Sequence, residues 1–255
     1  MEWRILGSFG GSSPSCRMTS FLVDGQLALD AGSLTQALSI EEQQGVARIA
    51  LSHSHLDHVA SIPFLVENVF ADGSKTLEIL LTPEVHRTVK RHLFNNDLWP
   101  DFTRIPSQLS PAVKLVEVAP RVPYVVNHLT LTPIPVNHTV PTCGFLVEEA
   151  GGGAVLFTSD TGPTEEVWEV ANRCSNLAAV IVEVSFPSRL QRVADLSLHL
   201  TPKTLACELT KLKKDVPVYL FHLKPRHLLE LREELAATPM PYPVRELEQG
   251  TAYRF

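Results

Sequence analysis

The 255 residues include only four cysteines, and Cys16, Cys143, Cys174 and Cys207 stand far apart with no Cys-x-x-Cys among them. That excludes a disulfide framework and a cysteine-built structural zinc site, and leaves reduced thiols. Cys143 lies near His138 in sequence, but a packed small residue is the simpler reading. There is no long uncharged apolar run, so no transmembrane helix and no membrane partner are expected. Residues 1–6 lack a basic segment followed by an apolar one; they do not read as a signal peptide, and a cytoplasmic protein is expected. Positive charge is in deficit, 22 Lys and Arg against 28 Asp and Glu, a formal net charge of −6. A large nucleic-acid partner is disfavoured on that account. Short-period repeats and low-complexity linkers are missing. The glycine- and serine-rich stretch 7–13 lacks the lysine of a P-loop and reads as a plain turn. What remains is an ordinary globular composition, 44% hydrophobic, long enough for a sizeable core in one large α/β domain or two small ones.

Histidine beside aspartate is what the chain does have. In Leu51-Ser52-His53-Ser54-His55-Leu56-Asp57-His58, four metal-capable side chains fall within six residues. Residues 47–51 read as a short apolar strand and 59–70 as a helix. The cluster therefore sits on a turn leaving the carboxyl end of a strand, where open α/β sheets place their sites. His53 and His55 are two apart and point the same way in extended backbone. Asp57 and His58 follow at the helix start and point elsewhere, so one pair can serve one metal and the second pair another. Imidazole suits zinc, iron, nickel or copper, and a carboxylate adds a hard oxygen. A polar turn with solvated histidines is the plainer alternative, and three histidines and an aspartate in this alternation argue against it.

His53-Ser54-His55-Leu56-Asp57-His58 resembles the His-x-His-x-Asp-His signature of the metallo-β-lactamase superfamily. The resemblance implies an α/β chain folded as a four-layer αββα sandwich with a dinuclear metal centre between two sheets. Later segments extend it. Residues 129–136 read as a strand ending in Pro135-Val136-Asn137-His138. Residues 144–148 and 154–158 read as a hairpin across Gly151-Gly152-Gly153, ending in Ser159-Asp160-Thr161-Gly162. Residues 218–221 read as the last core strand, followed by His222-Leu223-Lys224-Pro225. By resemblance, site one is His53, His55, His138 and a bridging Asp160. Site two is Asp57, His58, His222 and the same Asp160. The two divalent ions are zinc first, with manganese or iron also suited to the ligands. Asp30, after the 19–23/26–29 hairpin with its Asp24-Gly25 turn, is a turn residue by itself; by resemblance it supports the ligand loop.

Two further segments narrow the resemblance to class II cyclic-nucleotide phosphodiesterases and, less closely, to ribonuclease Z. They are Glu183-Val184-Ser185-Phe186-Pro187, after a buried strand at 177–183, and Leu198-His199-Leu200-Thr201-Pro202. A charged Glu ending an apolar strand needs a partner, and His199 is the candidate. His199 is then a proton donor oriented by Glu183; a capping or packing role for His199, and a loop-supporting role for Glu183, stay open. Residues 93–102 form an irregular aromatic connection that resembles an Asn-x-x-x-Trp-Pro-x-Phe segment of the same phosphodiesterases. Asn96 and Trp99 are its candidate substrate contacts, with Trp99 as core packing the alternative.

Helices are expected at 33–44, 83–95, 201–213 (Pro202 in its first turn) and 226–237, and strands at 3–8, 76–81, 114–118, 124–126 and 244–255. His86 and His92 lie on the polar face of the second of these helices and are left unassigned. The chain is expected to be a single domain, 1–255, with pseudo-symmetric halves meeting near residue 130. The leading expectation is a two-metal phosphodiesterase that opens 3′,5′-cyclic nucleotides to 5′-monophosphates through a bridging hydroxide, with His53, His55, Asp57, His58, His138, Asp160 and His222 on the metals and His199, Glu183 and Asp57 catalytic. The alternatives are a ribonuclease Z-like phosphodiesterase, a thioester or lactone hydrolase on the same fold, and a metal-binding protein without activity. The expected partner is a small phosphodiester; a homodimer is allowed, and oligomeric state has no signature here.

Overall fold

Alternation along the strands decides the layering. In the strand Leu77–Leu81, Ile79 and Leu81 pack into one buried cluster while Leu80 joins another. In Leu177–Glu183, Val180 and Val182 face one cluster, and Ala179 and Ile181 the opposite one. Successive side chains leave a strand on opposite faces, so a strand apolar on both faces must be covered on both. The cover is a helix layer outside and a second sheet inside.

The computed structural model describes residues 1–70 and 75–255. In chain order the strands are β1 (Glu2–Gly7), β2 (Ser20–Val23), β3 (Leu27–Leu29), β4 (Arg48–Ala50), β5 (Leu77–Leu81), β6 (Val113–Glu117), β7 (Tyr124–Val126), β8 (Leu129–Pro135), β9 (Cys143–Glu149), β10 (Ala154–Phe157), β11 (Leu177–Glu183), β12 (Val218–Phe221), β13 (Val244–Glu246) and β14 (Ala252–Arg254). One sheet runs β14-β1-β2-β3-β4-β5-β6 and the other β13-β12-β11-β10-β9-β8-β7. Each has a parallel half, β3 to β6 and β10 to β13, and an antiparallel half. This is the αββα sandwich. Between the sheets lies a core that includes Trp3, Phe21, Phe145, Phe157 and Phe221, with Phe21 edge-on to both Phe157 and Phe221. The chain passes from one sheet to the other between Glu117 and Tyr124, close to the midpoint read from the sequence.

Several helices differ from the expected spans. The span 33–44 is two helices, Leu34–Ala37 and Ile40–Gly45. Ser39 breaks it by capping the second: its hydroxyl accepts the Glu42 N–H while the Glu42 carboxylate accepts its own. The span 59–70 is also two, Leu56–Val59 and Ile62–Val69. Pro63 has no N–H to give to the preceding turn, so a new helix starts there. The helical turn therefore begins three residues early and takes Asp57 and His58 into itself. The span 201–213 stops at Leu209, and 226–237 opens with a tight turn at Pro225–His227 before Leu228–Ala237. Helices Glu166–Arg173 and Gln191–Ser197 were not anticipated. The final segment supplies two strands, one to each sheet. Among the described residues, no helix is long and apolar enough to cross a membrane.

Candidate metal centre

β1, β3, β4, β8, β10, β11 and β12 carry the site, at their carboxyl ends. Within each sheet these strands run the same way, since β8 and β10 are both antiparallel to β9, and β1 and β3 both to β2. One end of the sandwich thus collects Ser8–Gly11, Asp30, Ser52–His58, His138, Asp160, Glu183 and His222. Sequence-distant loops meet there because the two sheets are packed face to face: the His222 N–H bonds the Ser8 carbonyl across the gap at 2.6 Å.

The residues named from the resemblance are gathered into two groups of donors, each group's atoms within 4.8 Å of one another: His53, His55, His138 and Asp160, and Asp57, His58, His222 and Asp160. Asp160 belongs to both. Its Oδ2 lies 3.8 Å from His53 Nε2, 3.3 Å from His58 Nε2 and 3.1 Å from His222 Nε2. Asp57 Oδ2 lies 3.3 Å from the same His222 nitrogen. His138 Nε2 faces His55 Nδ1 at 3.2 Å.

Four of the five candidate ligand rings, His53, His58, His138 and His222, have the inward nitrogen set by a bond on the other side of the ring. Asp30 Oδ2 accepts from His58 Nδ1 at 2.8 Å and from the Ser52 hydroxyl at 2.8 Å, and that hydroxyl in turn meets His53 Nδ1 at 2.9 Å. On the opposite sheet the pattern repeats. The Ser185 hydroxyl donates to Glu183 Oε2 at 2.9 Å and meets His222 Nδ1 at 2.8 Å, while Glu183 Oε1 accepts from His199 Nδ1 at 2.7 Å. His138 Nδ1 donates to the Leu198 carbonyl at 3.0 Å. For His53, His138 and His222 the N–H points outward to a serine or carbonyl, and the lone pair on the other nitrogen points at the centre; His58 and His199 are oriented in the same way by Asp30 and Glu183.

This donor set fits divalent metal ions. His53 Nε2, His58 Nε2 and Asp160 Oδ1 are buried with no hydrogen-bond partner. Leaving such a group unpaired costs roughly 1–3 kcal/mol, and a cation satisfies all of them at once. Burial pushes the pKa of His53, His55 and His138 down and that of His222 down to about 4, so these rings are neutral, the form that binds metal. Burial opposes charge on His58 too, but Asp160 and Asp30 outweigh it and hold its proton on well above the usual range. Asp160 stays ionised despite burial because His222, His58 and His53 surround it; Asp57 does so through His222 and His58.

Metal and protons therefore compete here. A ring whose pKa is lower in the fold than in the unfolded chain gives stability above the unfolded value that is lost as pH falls. Dialysis at stepped pH is expected to leave the metal in place while His222 stays neutral and to release it as pH falls through and below about 4, the value for His222. Loss of all metal already near pH 6.5, the free imidazole value, with the fold intact, would contradict the buried histidine ligand set.

Among the described residues, four of the eight left-handed residues that are not glycine fall at this place, the others lying in turns elsewhere. Asp30 (φ 56°), Ser159 (φ 55°), Leu198 (φ 51°) and His222 (φ 68°) are all left-handed without being glycine. Each costs roughly 1–2 kcal/mol, and each sits at, or one residue before, a site residue, where it turns the chain so that the side chain or carbonyl reaches the centre.

Four residues at the site had weak sequence signals. Gly10, from the stretch read as a plain turn, touches His222: a Cβ there would meet the ring's Cε1 and Nδ1 at 2.6 Å. At Gly32 a Cβ would lie 2.1 Å from the Asp57 carbonyl oxygen. Ser52 and Ser185 hold rings, as above. Gly10→Ala is expected to tilt His222 out of its group and to lower metal affinity by at least the roughly 10–100-fold that losing an orienting partner costs, read by titration against a zinc-chelating dye. Unchanged affinity would separate His222 from the metal. Lys224 is a further addition, a cation 3.9 Å from Asp57 Oδ2.

Asn96 and Trp99 are placed otherwise than the ligands. Asn96 Oδ1 accepts the Asp101 N–H within its own loop, and Trp99 packs edge-on against Phe64 at 5.2 Å, half-buried on the core. His199 lines the centre, stacked on His222 at 5.1 Å and 21° and 5.0 Å from His138. Cys143 is buried, and burial pushes its thiol up to about 12, which makes it inert packing behind the ligand loop.

Sheet order and strand-end site together are those of the metallo-β-lactamase fold, whose members include metal-dependent hydrolases. Residues 19–238 match the family model described as "Beta-lactamase superfamily domain", and the chain belongs to that family. Similar solved structures include unliganded yeast PDE1 (20% identity, TM-score 0.81, 98% of each chain covered) and the metallo-β-lactamase-fold protein YhfI from Bacillus subtilis (17%, TM-score 0.78, 99% of this chain and 98% of that one). The short form of human tRNase Z is similar over 100% of this chain and 99% of its own, at 16% identity and TM-score 0.70. A search of curated proteins gave no match.

Proposed function

We propose that this hydrolase is a two-metal phosphodiesterase acting on 3′,5′-cyclic nucleotides. The observation that carries the reading is a buried Glu183–His199 pair set directly beside two donor groups that share one carboxylate. His53, His55, His138 and Asp160 would hold one ion, and Asp57, His58, His222 and Asp160 the other. Two such ions, when bound, acidify water and draw charge from the phosphoryl oxygens, which suits displacement at phosphorus.

The chain's own residues supply the rest. Opening a cyclic diester expels a ribose oxygen, and that alkoxide needs a proton. Burial opposes charge on His199, but Glu183, at 2.7 Å, outweighs it and raises the pKa. The ring is therefore kept in the form that can give a proton. Glu183 also accepts the Thr161 N–H at 3.1 Å, tying the donor's position to the segment that carries Asp160. Acyl transfer from a thioester or lactone has less need of such an acid. Similarity in fold to yeast PDE1 and the Glu183 and His199 segments support the cyclic-nucleotide substrate. The Glu–His pair also suits RNA ends, as in tRNase Z, but a net charge of −6 gives that phosphate-rich partner little to hold.

The test is turnover of 3′,5′-cyclic AMP against bis-p-nitrophenyl phosphate by protein whose metal content has been counted. Cyclic-nucleotide turnover above the generic diester is expected. Generic diester turnover alone would remove the nucleotide, and thioester or lactone turnover alone would remove the phosphodiester.

A further inference from the structure

Lys224 reaches the candidate metal centre, and no role described so far uses its charge. Its Nζ lies 3.9 Å from Asp57 Oδ2, the same oxygen that faces His222 Nε2 at 3.3 Å. The Lys224 and Asp57 side chains are 22% and 23% exposed, so the pair is mostly buried yet reachable from solvent. At 3.9 Å the ammonium is beyond hydrogen-bond range of Asp57, and among the described residues it donates to no other group. Lys90 and Lys211, by contrast, are each hydrogen-bonded to carboxylates. Among the described residues Lys224 is also the one lysine or arginine that approaches a carboxylate of the two donor groups.

The segment that carries it is held on both sides. The Leu223 carbonyl accepts the Gly10 N–H at 3.3 Å, the Lys224 N–H meets the Ser185 carbonyl at 3.4 Å, and the Lys224 carbonyl accepts the His227 N–H at 2.9 Å. Pro225 confines the Lys224 backbone to its extended form, φ −72° and ψ 122°. The stretch that presents the His222 ring therefore also fixes where the Lys224 stem begins.

Charge then points to an anion. A mostly buried ammonium with its N–H donors unmet needs a negative acceptor. The carboxylates of the donor groups are Asp57 and Asp160, and two divalent ions outweigh them. A loaded centre repels Lys224 unless an anion joins them. The oxygen that Lys224 approaches belongs to a donor group, so a ligand taken by that group is a neighbour of the ammonium. Lys224 also opposes a proton on His222 and on His199, so its field reaches the ring that stacks on His222.

We propose that Lys224 binds a nonbridging phosphoryl oxygen of the substrate, a contact separate from the metal donors and from His199. The proposal rests on the phosphodiester reading for the identity of the anion, but the ammonium's hold on an anion is tested apart from it. The test is calorimetric titration of inorganic phosphate into metal-loaded wild type, Lys224→Met and Lys224→Arg, with circular dichroism and metal content recorded for each. Both variants are expected to fold, because the ammonium gives the fold no hydrogen bond. In Lys224→Met phosphate affinity is expected to fall by roughly 10–100-fold, the contribution of one charge-assisted hydrogen bond. Its metal affinity, read with a zinc-chelating dye, is expected not to fall, since the lost charge repels cations. Lys224→Arg keeps charge and donors and is expected to retain more phosphate affinity than Lys224→Met.

No phosphate binding by the wild type, affinity unchanged in Lys224→Met, or affinity lost equally in Lys224→Arg overturns the contact. Phosphate and metal affinity falling together would make Lys224 a support for Asp57 and overturn it as well. Phosphate binding that depends on Lys224, in protein that cleaves no phosphodiester, keeps the anion contact and removes the phosphodiester reading.

Discussion

Asp160→Ala is expected to lose metal and turnover together. Its Oδ2 lies within 3.8 Å of the inward nitrogens of His53, His58 and His222, and it is common to both donor groups. Removing it strips each ion of a ligand and the imidazoles of the one charge they all face. Partners that merely orient a ligand cost about 10–100-fold, and a carboxylate shared by two ions should exceed that range. Elemental analysis after gel filtration, with turnover of bis-p-nitrophenyl phosphate, checks it. Circular dichroism distinguishes loss of metal from loss of fold. The expected variant is folded, because Asp160 sits on a strand-end loop and its unpaired Oδ1 contributes no hydrogen bond to the fold. A variant that kept both metals would refute the bridge.

His199→Ala has the second largest expected effect and should leave metal in place. The ring belongs to neither four-donor group; it bonds Glu183 and stacks on His222. Loss of a general acid lowers turnover by roughly 10²–10⁴-fold. The loss should depend on the leaving group. A ribose alkoxide needs the proton, whereas p-nitrophenolate leaves without one. Cyclic-nucleotide turnover should therefore collapse while bis-p-nitrophenyl phosphate turnover falls far less. A uniform loss on both substrates would make His199 structural. In the wild type, cyclic-nucleotide turnover should fall as pH rises through the raised His199 pKa, because the proton is present below that value and absent above it.

The parts of the fold legible in the sequence were those governed by short-range patterns. Strands 124–126, 177–183 and 218–221 coincide with β7, β11 and β12 because they are unbroken apolar runs, or tight hairpin arms, bounded by turn residues. The ligand loop was legible because His53, His55, Asp57 and His58 are contiguous. Helix boundaries were not. Ser39 acts through a reciprocal pair of side-chain-to-backbone hydrogen bonds and Pro63 through the N–H it lacks, and periodicity registers neither. Helix Glu166–Arg173 has no counterpart among the expected spans although Val167, Trp168 and Ala171 give it a buried face; the indole N–H of Trp168 finds its acceptor in Glu208, forty residues on.

The sequence by itself determined which side chains carry the chemistry, because histidine and carboxylate ligands are fixed by residue type and by strand-end position. It also determined the layering, because strands apolar on both faces have to be covered on both. Tertiary structure alone decided which nitrogen of each ring faces the centre. That depends on Asp30, Ser52, Ser185, Glu183 and the Leu198 carbonyl arriving from other loops and from both sheets. It alone decided that Gly10 must be small, since His222 reaches it from more than two hundred residues away. And it alone brought the Lys224 ammonium to Asp57, because the two stand in loops of different sheets and meet only where the sheets are packed face to face.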